Sequence, residues 1–156
     1  MTSLADSRIP AATTTDRASG LAPDWGNDVG KLLLRVTVGG LVLLHGLFKL
    51  GSGPGFIVKM LAAHNLPGAL GYLVYVGEIL APVLLIAGLW TRAAAAVVVV
   101  NMVIALLLVH TGQFFQLTNQ GGWALELQGL YLFGALTIML LGAGRYAVAG
   151  AQRGLN

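Results

Sequence analysis

Seven side chains in this sequence could do chemistry in an apolar setting: Arg35, His45, Lys49, Tyr75, Glu78, His110 and Glu126. His45 and Lys49 are one helical turn apart in the run KLLLRVTVGGLVLLHGLFKL (residues 31–50). Glu78 lies inside a second apolar run, ALGYLVYVGEILAPVLLIAGLW (residues 69–90), with Tyr75 three residues before it and Pro82 four residues after it. Ionisable groups within a membrane span are costly, and each one is a functional-site candidate by default. Glu78 is the strongest, because its short arm cannot reach water from the middle of a span. Proline has no N–H, so Pro82 removes the hydrogen bond that the Glu78 carbonyl would accept in an ordinary helix. Two bases and two acids (His45, Lys49, Glu78, Glu126) in a low-dielectric pocket can partly neutralise one another. The expected catalytic set is Glu78, Lys49 and His45. Arg35, Tyr75, His110 and Glu126 complete the expected substrate pocket, and no metal site is expected.

The elements that must position these groups follow from composition. The chain is 56% apolar and only 10% charged, where a soluble domain carries about 25% charged residues. Its mean hydropathy is +0.80. The nine Lys and Arg are scattered at the edges of apolar runs, which fits membrane topology and excludes a nucleic-acid surface. There is no cysteine, which removes disulfides, Cys-ligated zinc, iron–sulfur clusters and CxxC redox chemistry from this chain.

The reading is an all-α integral membrane protein, a bundle of four transmembrane helices at about 29–50, 69–90, 93–111 and 123–141. Residues 1–28 are polar and small, and are expected to be disordered. Residues 29–147 form the membrane domain, and 148–156 a short cytoplasmic tail. Gly51-Ser52-Gly53-Pro54-Gly55 ends the first helix. Residues 55–65 are too short to span; Phe56, Met60 and Ala63 at helical spacing predict an interfacial helix with Lys59 and His64 towards water. On helix 1, Arg35, Gly39, Val42, Gly46 and Lys49 recur at helical spacing as one face. Gly39, Gly40 and Gly46 would let another helix approach closely. Arg35, a few residues inside helix 1, can snorkel to headgroups or hold a structural ion pair. Asn101 in helix 3 reads as helix–helix glue.

Four spans put both termini on one side. Arg8, Arg17, Lys31, Arg92, Arg145 and Arg153 fall on that side, and Lys49 and Lys59 on the other. The positive-inside rule then places the termini in the cytoplasm. His45, Lys49, Glu78, His110 and Glu126 all fall in the outer half of the bundle.

Three stretches resemble the DoxX family of small bacterial four-helix membrane proteins: RVTVGGLVLLHGLFKL (35–50), GEILAPVLLIAGLWTR (77–92) and GAGRY (142–146). The shared pattern is an Arg early in helix 1, then His-Gly-x-x-Lys, a Glu in helix 2 followed by Gly and Thr-Arg, and a Glu opening helix 4. The tail departs, with GAGRYAVAG where the family often has Gly-Pro-Gly-x-x-Ser-Leu-Asp. The resemblance implies a bacterial cytoplasmic (inner) membrane location and a quinone-linked redox setting, since one branch of the family belongs to thiosulfate:quinone oxidoreductase. The leading expectation is a membrane subunit of such a system, with a quinone in the pocket and a soluble or membrane redox partner subunit. It leaves open whether the chain is itself an enzyme, and whether it forms a homo-oligomer. The alternatives are a small proton-coupled transporter, a scaffold for a soluble partner, and a haem or metal protein using His45 and His110.

Overall fold

The computed structural model describes residues 25–149, and every described element is helical apart from one isolated β-bridge between Leu117 and Trp123. The expectations for residues 1–24 and 150–156 lie outside the described residues. Helix α1 runs Trp25–Ser52, α2 Gly55–Ala63, α3 Ala81–Ala87, α4 Thr91–Val109 and α5 Glu126–Leu141. A 3₁₀ segment (Gly68–Leu73) and a π-helical turn (Val76–Leu80) lead into α3 and make one composite span, Gly68–Ala87. Three segments are long and apolar enough to cross a bilayer: α1, the composite span and α4. The fourth, α5, has 16 residues, about 24 Å of helix at 1.5 Å per residue. Trp123–Leu125, expected to be its first turn, instead precede it outside the helix, with Leu125 fully buried. At the other end of the chain, Trp25–Asp28 belong to α1, although the sequence assigns them to the polar N-terminal segment.

Each span packs on the next, and α5 returns to α1. Val42, Leu85, Ala95, Val98, Ala135 and Ile138 are at most 1% exposed and form the centre of the bundle. Only 28–33% of each long span is buried by the rest of the chain. The outer faces carry Leu33, Leu44, Phe48, Val100, Leu107 and Phe133, all exposed. Such all-round apolar helices require a bilayer around them.

Small residues decide how closely the spans meet. A Cβ on Gly46 would collide with the Glu78 carbonyl oxygen, and one on Gly39 would come within 2.9 Å of the Ile86 side chain and 3.1 Å of the Pro82 carbonyl. These two glycines let α1 lie against the composite span. Gly40 meets nothing within 4 Å, so the expected contact role falls to two of the three glycines. Gly46→Ala should therefore cost about 1–3 kcal/mol through overpacking. Gly40→Ala should be neutral or stabilising by about 0.5–1 kcal/mol. Thermal unfolding of the two variants in detergent checks the contrast.

Helix α2 packs on the 3₁₀ segment. Its inward residue is Leu61, and Phe56, Lys59 and His64 are exposed. Gly68 and Gly71 leave room for the Val58 methyls at 3.0 and 3.1 Å from where their Cβ atoms would be. The inward face is chosen by those glycines, which lie outside α2 and which helical spacing within it cannot register.

Candidate functional site

Pro82 sits in the first turn of α3, and the turn before it opens to π geometry, with the Ala81 N–H bonded to the Val76 carbonyl. Such single π turns are frequent at functional sites because the added residue redirects a side chain. Here the turn carries Glu78, which is 3% exposed. The Glu78 carbonyl, without its usual helical donor, lies against the Gly46 backbone. Gly77, beside it, gives room to α4: a Cβ there would be 2.5 Å from Asn101 Cγ. The same pair of glycine contacts thus brings α1 and α4 to the two sides of Glu78.

Lys49 Nζ donates to Glu78 Oε1 at 2.5 Å, and Asn101 Nδ2 donates to the same oxygen at 3.4 Å. The Lys49 side chain keeps 34% of its exposure and that of Glu78 only 4%. The pair is therefore asymmetric: a lysine at the mouth neutralises a carboxylate on the floor. Above it lies a cleft of about 100 Å³. Val42, Met102, Ala105 and Leu127 give its apolar walls, and His45, Lys49, Glu78, His110, Gln128 and Tyr131 its polar ones. All four spans contribute.

The two histidines differ. His45 Nδ1 donates to the Leu41 carbonyl at 2.9 Å, which leaves Nε2 as an acceptor, and its ring meets Tyr131 edge-on at 5.6 Å between centroids. His110 is engaged at both nitrogens, by Gln113 Oε1 at 2.9 Å and by Gln128 Nε2 at 3.5 Å. Among the described residues no group of three or more His, Cys, Asp or Glu is placed to hold a metal ion.

Of the expected site residues, His45, Lys49, Glu78 and His110 come together in the cleft. Tyr75 stands beside it, with its hydroxyl donating to the Lys49 carbonyl at 3.3 Å. Glu126 is exposed and turned towards Gly122 in the preceding loop. Arg35 is not at the cleft. It lies 14 residues before Lys49 on α1, about 21 Å along the helix. Nor does it snorkel: it is 0% exposed and bonds the carbonyls of Tyr146 at 2.7 Å and Leu85 at 3.3 Å. The carbonyls at the end of α3 are negative by the helix dipole, so they hold the guanidinium inside. Gln128 and Tyr131 line the cleft and Asn101 bonds its Glu78, and none of the three was expected there. For Asn101 the signal was its mid-span depth, similar to that of Glu78. For Gln128 the signal was an amide in a largely apolar helix, and nothing comparable marks Tyr131.

A family model described as DoxX matches residues 30–111, just over half of the chain. The matched region contains Arg35, His45, Lys49, Glu78, Asn101 and His110. No curated protein and no solved structure matches the chain.

Proposed function

From the premise that this chain belongs to the DoxX family of multi-pass membrane proteins, we propose that it is the membrane subunit of a quinone-linked redox system and that the cleft receives the quinone ring. The observation that carries this is the Lys49–Glu78 pair, lysine at the mouth and carboxylate on the floor, of a cleft with apolar walls. A quinone site needs apolar surroundings, a donor to the carbonyl oxygen and a route for protons. Val42, Met102 and Leu127 supply the first, and Lys49 Nζ the second. Glu78 is the proton carrier. A space of about 100 Å³ admits the carbonyl edge of a ring, and the remainder with its tail extends towards the lipid.

Quinone reduction takes up two electrons and two protons and yields the hydroquinone. The electrons come from a redox partner subunit, soluble or in the membrane. Protons reach the oxygen through Glu78. The cleft faces outwards and both termini lie in the cytoplasm, by the balance of Lys and Arg at the two ends of the bundle.

Glu78→Gln keeps the shape of the side chain and removes the proton carrier. The expected result is intact binding of a quinone analogue with quinone-dependent electron transfer reduced 10²–10⁴-fold, as for loss of a general acid–base group. Unchanged transfer, together with no binding of the analogue by the wild type, would sink the reading. A buried carboxylate in a span also serves proton-coupled transport. Proton-driven solute flux in liposomes lacking any redox partner would favour that reading instead.

A further inference from the structure

The floor of the cleft is unevenly satisfied. Glu78 Oε1 has two donors, Lys49 and Asn101, whereas Oε2 of the same carboxylate is buried and no described residue donates to it. Lys49 Nζ has three N–H groups and gives one to Glu78. The carboxylate at the cleft therefore keeps one buried acceptor without a donor, and the lysine bonded to it keeps two N–H groups. One turn away, His45 Nε2 is a second open acceptor, because the ring proton is on Nδ1. An anion entering here would face the carboxylate, and a cation would face the lysine.

The group that matches this floor is a neutral hydroxyl. Its O–H donates to Glu78 Oε2, and its oxygen accepts from Lys49 Nζ. A carbonyl in the same place accepts from Lys49 but turns its lone pairs towards Oε2 and leaves that atom unpaired. A buried polar atom left without its partner discriminates more strongly than a weak contact does. We propose that the cleft selects a ligand presenting a hydroxyl over the same ligand presenting a carbonyl, through Glu78 Oε2. The inference rests on the quinone reading of the cleft, and within that reading it means that the hydroquinone binds more tightly than the quinone.

The preference has a measurable size. A hydrogen bond to a charged group corresponds to about ten- to a hundredfold in affinity. For a two-electron couple, a tenfold preference for the reduced form raises the midpoint potential of the bound couple by about 30 mV, and a hundredfold preference by about 60 mV. The site would thus draw the bound quinone towards reduction.

The test uses the full chain in mild detergent without oxygen. Three probes are compared by equilibrium binding: a benzoquinone with a ten-carbon tail, its hydroquinone, and the dimethyl ether of that hydroquinone. The expected result is a ten- to hundredfold advantage for the hydroquinone, lost in the ether because it has no O–H. In Glu78→Gln the side-chain amide can present its own donor to a carbonyl, so the advantage should disappear or reverse. Equal binding of quinone and hydroquinone, or an advantage that survives in the ether or in Glu78→Gln, overturns the inference and leaves the quinone reading standing. Failure of all three probes to bind the folded wild type overturns both. The ether comparison needs no variant, so it decides the matter even if Glu78→Gln does not fold.

Discussion

Lys49→Met should cost the protein about 2–4 kcal/mol, and adding Glu78→Gln should restore most of that loss. The single substitution leaves a 4%-exposed carboxylate without its cation, and breaking a buried pair from one side typically costs about 3–5 kcal/mol. The range is set lower here because Lys49 keeps a third of its exposure, and water screens its half of the pair. The double variant removes both charges, and a neutral pair in an apolar site is often no less stable than the ion pair it replaces. Unfolding in detergent, measured for wild type, both single variants and the double, gives the coupling energy directly. Additive losses would mean that the two groups do not act as a pair. Asn101→Leu supplies a smaller companion effect, because Asn101 is the second donor to Glu78 Oε1.

Arg35→Met should be as severe for stability, at about 3 kcal/mol or more, yet leave ligand binding by the folded protein unchanged. The guanidinium donates to two carbonyls from separate elements, Leu85 in α3 and Tyr146 beyond α5. Hydrogen bonds to charged groups contribute about 1.5–3 kcal/mol each, and the long side chain also fills space against Gly88. Gly88 has φ +73° and closes α3 with its N–H bonded to the Leu84 and Leu85 carbonyls. A side chain there would run into Arg35 and Ala147. Two further bonds fasten the exit segment nearby: Val148 N–H to the Ala87 carbonyl at 3.0 Å, and Arg145 N–H to Asp28 Oδ1 at 3.1 Å. Arg35 is therefore one of several ties that hold the chain after α5 against α1 and α3. Arg35→Lys should not rescue it, since one ammonium cannot reproduce the planar fork that spans two carbonyls. Melting temperature in detergent, with protease sensitivity of residues 142–149 as the local readout, tests this. A loss below about 0.5 kcal/mol, the usual range for a surface site, would return Arg35 to the headgroup-anchor role.

The contrast between Lys49 and Arg35 shows what a sequence can and cannot say about charges in a span. Both are cations on one face of one helix, and depth along the helix separates them into different halves of the bundle. Which of them faces a cleft depends on what the neighbouring spans present. Opposite Lys49 is a π turn with a carboxylate; opposite Arg35 is the carbonyl end of α3. A similar point holds for α2, whose inward residue is set by glycines in a different segment.

The sequence by itself determined the class of the protein and the identity of its central carboxylate. Low charge and long apolar runs leave a membrane helix bundle, because an exposed backbone cannot survive in lipid. The depth of Glu78 and the nearness of Pro82 mark it without any structure, because one short acid in a span has no path to water. Helical spacing also placed Arg35, Gly39, Val42, Gly46 and Lys49 on one face of α1, of which the first four are buried and Lys49 half-buried. Only the tertiary structure decided which groups meet. Gln128 and Tyr131 enter the cleft, Asn101 bonds Glu78, Glu126 turns away to its loop, and Arg35 is enclosed at the far end. The physical reason is that a helix's own period fixes which residues share a face. Which face meets which neighbour is set by where backbones can touch, and Gly46 against Glu78 and Gly77 against Asn101 are those places.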